Sequence, residues 1–154
     1  MFLWSSHQLK FTLIWASQNL KNTNITKLPK DFYVGNSLFL SGCEQLTELP
    51  DKLHVSGRLD LDYCTQITEL PNDLYVRMTF SLMHTKITKL PDNLYVGGRL
   101  IIKECAKLKK IPKNLFVGDD LYIGNIPLAK KYTDEQIYEM VALTGGKIKG
   151  KIIR

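Results

Sequence analysis

Apolar and polar positions along this chain recur with a period close to 21 residues. Pro29, Pro50, Pro71, Pro91 and Pro112 lie 21, 21, 20 and 21 residues apart, each behind an aliphatic residue: Leu28, Leu49, Leu70, Leu90 and Ile111. Aligned on these prolines, the segments read LPKDFYVGNSLFLSGCEQ, LPDKLHVSGRLDLDYCTQ, LPNDLYVRMTFSLMHTK, LPDNLYVGGRLIIKECAK and IPKNLFVGDDLYIGNIPL. Two stretches of strict alternation stand in each. The first places Phe32/Val34, Leu53/Val55, Leu74/Val76, Leu94/Val96 and Leu115/Val117 on one side; the second does the same with Leu38/Leu40, Leu59/Leu61, Phe80/Leu82, Leu100/Ile102 and Leu121/Ile123. A period of two is the pattern of a short strand with one buried face. Each repeat is therefore predicted to run strand, corner, strand and proline-marked bend. Gly35, Gly57, Gly97, Gly98 and Gly118 fall at the corner and are expected to supply positive φ there. A single coil cannot bury its aliphatic side chains, whereas coils stacked about 4.8 Å apart share a continuous core. The pattern predicts a β-rich solenoid with short strands on two sides of each coil.

The ends depart from the period. Residues 1–24 keep apolar side chains, among them Phe2, Trp4, Phe11, Leu13 and Trp15, and read as an N-terminal cap or a degenerate first coil. Five coils occupy 25–129, and 130–154 reads as a C-terminal cap, all within one structural domain. Thr133-Asp134-Glu135-Gln136 has the form of a capping box, predicting a helix over about 134–143 with an Ile137, Met140, Val141 stripe and a Gly145-Gly146 stop. The closing KIKGKIIR alternates basic with aliphatic residues, as a final strand or a loosely attached tail would.

From the second strand onward, RLDLDYCTQITELP and RLIIKECAKLKKIP follow L-x-L-x-x-C-x-x-[IL]-x-x-[LI]-P and resemble the leucine-rich repeat, over residues 25–128. That resemblance implies cysteine side chains bonded to backbone groups of the adjoining loop, and a second-strand sheet serving as a concave recognition surface. The L-P-x-x-L-x-V half is a strand, not the helix of longer repeats. In this the coils look most like degenerate repeats of phage, large-virus and some bacterial proteins.

Composition adds bounds rather than a function. With 154 residues, 44% hydrophobic and 23% charged, the chain can fold as one domain around a real core. Its net charge of +6 permits acidic proteins, nucleic acid or anionic membranes as partners. The apolar run Phe11–Ala16 is too short for a membrane span or a signal peptide, and three cysteines do not make a disulfide framework. A cytoplasmic protein without membrane contact is expected, in the host cytoplasm if the chain is phage-encoded. Neither a nucleophile elbow, a phosphate loop nor a metal-ligand spacing occurs, so a non-catalytic protein without cofactor is expected.

Cys43, Cys64 and Cys105 share one register of the coil, with Thr85 in the third repeat, and read as a buried ladder. His54 falls in line with Tyr33, Tyr75, Tyr95 and Phe116, an outward aromatic row of the first strand whose regularity favours a structural role. The outward positions of the second strand vary instead. They include Phe39, Met83, Ile101 and Tyr122 among Arg58, Asp60, Asp62, Arg99 and Lys103, apolar anchors bordered by mixed charge as a protein interface requires. This face is the first candidate site, for a protein partner, possession of a host-inhibiting role following from the phage resemblance. The second is a basic C-terminal end of Lys107, Lys109, Lys110, Lys113, Lys147, Lys149, Lys151 and Arg154, for nucleic acid. A third expectation is a structural or self-assembling component, stacking through an imperfect cap.

Overall fold

In the computed structural model, which describes residues 12–30 and 32–154, the repeats stack as the coils of a β-solenoid. The N-terminal rung is β1 (Thr12–Ile14) and β2 (Gln18–Asn19). The five repeats supply β3 (Phe32–Val34) and β4 (Leu38–Phe39), β5 (His54–Val55) and β6 (Leu59–Asp60), β7 (Tyr75–Val76) and β8 (Phe80–Ser81), β9 (Tyr95–Val96) and β10 (Leu100–Ile101), β11 (Phe116–Val117) and β12 (Leu121–Tyr122). Then come α1 (Pro127–Lys131), α2 (Asp134–Leu143), β13 (Lys147–Ile148) and β14 (Ile152–Ile153). Odd-numbered strands form one seven-stranded parallel sheet and even-numbered strands another, each pairing with the strand one coil away. Residues one period apart are register partners, such as Val34 with Val55 and Leu59 with Phe80. Of the N-terminal cap residues, Phe2, Trp4 and Phe11 lie outside the described residues.

Every inward pair named above is buried, and the two rows of each strand set meet in one core running the length of the stack. The bends add Leu46, Ile67, Ile87 and Leu108 to it, so the proline-marked linkers close the third side of each coil.

The corner glycines do not work as expected. Positive φ among glycines occurs at Gly42 and Gly145, and at none of Gly35, Gly57, Gly97, Gly98 or Gly118. Their role is closeness: a Cβ on Gly97 would lie on the carbonyl oxygen of Arg77, and one on Gly118 on that of Gly97. Left-handed backbone appears after the second strand instead, at Asn22, Gly42, Tyr63, His84, Glu104 and Asn125, with φ between 55° and 74°. The glycines are thus set by the spacing between coils, and the sharp bend by a residue that is usually not glycine.

At the C-terminus, α2 replaces the short linker of the other coils. Thr133 Oγ1 accepts from the Gln136 N–H and Gln136 Oε1 from the Thr133 N–H, completing the capping box. Ile137 and Val141 turn into the core. KIKGKIIR is a rung rather than a loose tail, with Lys147 opposite Phe116 and Ile152 opposite Leu121. The hydroxyl of Tyr138 donates to the Gly150 carbonyl at 2.7 Å, and Arg154 pairs with Asp134 at 2.7 Å while donating to the carbonyls of Ala129 and Tyr132. These bonds tie the helices to the last rung.

Candidate protein interface on the second sheet

Because side chains alternate along each short strand, the second sheet presents three outward rows. The middle row runs Asn19, Phe39, Asp60, Ser81, Ile101, Tyr122 and Ile153 by strand register. Arg58, Thr79 and Arg99 flank it on one side and Asp62, Met83 and Lys103 on the other. Phe39, Ile101 and Tyr122 are half-buried, as are Met83 and Lys103, and Arg99 is exposed. Lys21 Nζ lies 5.0 Å from the Phe39 ring centre and Lys103 Nζ 5.1 Å from that of Tyr122, so each aromatic anchor carries a cation against its face.

Asp60 differs from the sequence expectation. It faces outward from the sheet yet is only 4% exposed, and Ser81 beside it is fully buried. Two cations cover the Asp60 carboxylate, Arg58 at 3.4 Å and Lys21 at 3.8 Å, while its Oδ1 accepts the Asp62 N–H at 3.2 Å. Asp62 in turn accepts from the Ser81 hydroxyl at 2.6 Å and the Met83 N–H at 2.8 Å. Burial pushes the Asp60 carboxyl above its ordinary range, against the opposing pull of the Asp62 amide and the two cations. Asp60 and Ser81 therefore form a polar floor beneath the face, and Arg58 and Lys21 are what a partner would touch there. The difference arises from Arg58 two residues earlier and Lys21 two coils away over Asp60, and from Ser81 and Met83 one coil away beside Asp62.

The other outward groups are organised differently. On the first sheet Tyr33, His54, Tyr75, Tyr95 and Phe116 stack with ring centres 4.4 to 4.8 Å apart. Lys149 Nζ caps this ladder 5.3 Å from Phe116. Ring faces in such a stack are occupied by one another. Burial lowers the His54 pKa from its ordinary value. A second stack missed in the sequence joins Tyr63 and His84 at 4.6 Å; the signal was the shared position one residue past Asp62 and Met83.

The cysteine register forms the expected ladder. Cys43 Sγ donates to the Leu20 carbonyl at 2.9 Å, Cys64 to Leu40 at 3.1 Å and Cys105 to Leu82 at 3.0 Å, and Thr85 Oγ1 donates to Leu82 at 2.8 Å. Burial pushes the Cys64 thiol up to about 12 and raises Cys105 as well, leaving neither as an attacking thiolate. Among the described residues, no three His, Cys, Asp or Glu side chains converge as a metal site, and no helix is long and apolar enough to cross a membrane.

The basic residues do not share one surface. Lys107, Lys109, Lys110 and Lys113 are exposed along the bend between the second and first sheets. Lys147 extends the aromatic row of the first sheet and Lys149 lies over its last ring, Phe116, while Lys151 stands at the corner beside Asp120. Arg154 is engaged with α1 and α2.

Taken together, the fold is a parallel β-solenoid whose two sheets present a uniform aromatic row on one side and a varied face on the other. Comparison with protein-family models, with curated proteins and with solved structures returned no match for this chain.

Proposed function

We propose that the protein is a non-catalytic binding module that docks a protein partner on the outer face of its second sheet. The observation that supports this reading is the contrast between the two faces. The first sheet repeats nearly the same ring at every coil, as a structural stack does, whereas the second sheet changes residue at every coil. Three apolar anchors, Phe39 and the neighbouring pair Ile101 and Tyr122, stand there among Arg58, Asp62, Arg99 and Lys103. Anchors supply affinity by leaving water, and the charges around them discriminate between partners. Following the resemblance of the repeats to leucine-rich repeats of phage and large-virus proteins, the proposed partner is a host protein, such as a component of a defence system, inhibited in the host cytoplasm. The basic C-terminal residues stand on more than one side of the coil, which favours the sheet face over the nucleic-acid reading.

The test compares the wild-type chain and the F39S/I101S/Y122S variant as baits in lysate of the native host, nuclease-treated and untreated. A protein held by the wild type and lost from the variant, at an unchanged circular dichroism spectrum, is the expected outcome. Equal retention by both baits would place the interface elsewhere. Capture that disappears on nuclease treatment would transfer the function to nucleic acid.

A further inference from the structure

The residue just before each aliphatic-proline pair occupies one row on the linker side of the solenoid: Lys27, Glu48, Glu69, Lys89 and Lys110, all exposed. Ion pairs between neighbours confirm the alignment, Lys27 with Glu48 at 2.8 Å and Lys89 with Glu69 at 3.7 Å. Its last four charges run minus, minus, plus, plus. Read in the opposite direction the same row runs plus, plus, minus, minus, which is its own complement. Three residues further along the chain the row runs Lys30, Asp51, Asn72, Asp92 and Lys113, so Asp51 and Lys113 repeat the opposite signs of Glu48 and Lys110 while Asp92, which accepts the Lys113 N–H, sets one acid among the lysines. A solvated surface needs interspersed charges, not segregation of sign within the last four positions of one row. Among the described residues, Lys107, Lys109, Lys110 and Lys113 form no ion pair, so this half of the edge has unspent positive charge.

We infer that the linker edge binds a second copy of this chain, edge to edge with the solenoid axes antiparallel. A two-fold axis lying in the interface, across the solenoid between the Glu69 and Lys89 rungs, keeps each row on itself and reverses its direction. It sets Glu69 against the other copy's Lys89, Glu48 against Lys110 and Asp51 against Lys113, each pair occurring twice by symmetry. Parallel copies in register would instead oppose like charges. Shallow grooves between the rungs place the half-buried Pro50 and Pro71 under the charges, with the buried Leu49 and Leu70 behind them. Four rungs at about 4.8 Å make a short edge, so the dimer belongs with small, weak and salt-sensitive interfaces. This docking leaves the outer face of the second sheet free and does not depend on the function proposed for it.

Sedimentation velocity of the full chain over about 10 to 500 µM, a range suited to so small an interface, tests the inference at low and high salt. Dimer formation at low salt that is reversed by salt is expected. The K89E/K110E variant makes the row uniformly negative apart from Lys27, and E48K/E69K makes it uniformly positive. Each variant alone should be monomeric, and an equal mixture should recover the dimer; E48K/K110E, which exchanges the two signs, should retain self-association. All these positions are exposed, and thermal melts would verify that the variants fold. A wild-type chain that stays monomeric throughout, variants that associate as the wild type does, or a mixture that fails to recover the dimer would each overturn the inference. So would monomeric wild type that binds duplex DNA with loss on K89E/K110E substitution, which would assign the lysines to nucleic acid.

Discussion

Asp60 shows how a single side chain can change meaning between sequence and fold. Two carboxylates at alternate positions of one strand read as equivalent surface acids, yet one is sealed beneath Arg58 and Lys21 and the other bonds Ser81 and Met83. Burial is the largest influence on Asp60 and raises its pKa, so the folded chain binds its proton more tightly than the unfolded chain does. The stability this contributes is fully present below the unfolded pKa of an ordinary aspartate. It is lost as pH rises through the higher folded value. Asp60→Asn, which keeps the shape without the charge, is expected to be at least as stable as wild type at pH 7. Its advantage should shrink as pH falls through that window. Melting temperatures of both proteins across pH 4 to about 8 would measure it; a variant much less stable at pH 7 would show that the cations outweigh the desolvation.

At the scale of elements, two-residue strands have little stability alone, and the fold depends on repetition. Each strand gains from hydrogen bonds to two neighbours and from side-chain rows that continue through the stack. The aromatic row is the clearest case, since Tyr95 lies between Tyr75 and Phe116 with rings 4.8 Å from each and nearly parallel. Replacing Tyr95 with Ala removes two stacking contacts from the middle of the row. A loss of about 2 to 3 kcal/mol is expected, read from the urea midpoint at constant slope. A change below about 0.5 kcal/mol, the range of ordinary surface substitutions, would mean the rings merely lie side by side. The bends carry their own constraint: Tyr63 and His84 hold left-handed φ of 61° and 57°, a conformation that glycine or asparagine adopts more readily.

On the scale of the whole molecule, a stacked core requires closed ends. α2 lies at the C-terminal end with Ile137 and Val141 in the core, and Tyr138 and Arg154 fasten the helices to the last rung. Lys147, Lys149 and Lys151 are therefore charges along an edge rung, where they discourage pairing with another sheet. Deleting residues 147–154 should expose the edges of β11 and β12 and leave Ile137 and Val141 without support. Concentration-dependent light scattering and a lowered melting temperature are expected. A monodisperse truncated chain that melts like wild type would show that the last rung is dispensable.

The 21-residue apolar period was sufficient by itself to determine the solenoid, the inward rows and the cysteine ladder. These depend on local alternation and on identical coils meeting in register, which a repeating sequence encodes directly. The capping box was legible for the same reason, since its bonds span only three residues. Tertiary structure alone decided what depends on residues in other coils: that Lys21 closes over Asp60, that Tyr63 meets His84, that corner glycines serve close approach, and that KIKGKIIR completes a rung. It also decided that lysines near in sequence order face different sides of the coil. Such outcomes arise from contacts between residues about 20 or more positions apart, where side-chain volume and burial, rather than periodicity, set the result.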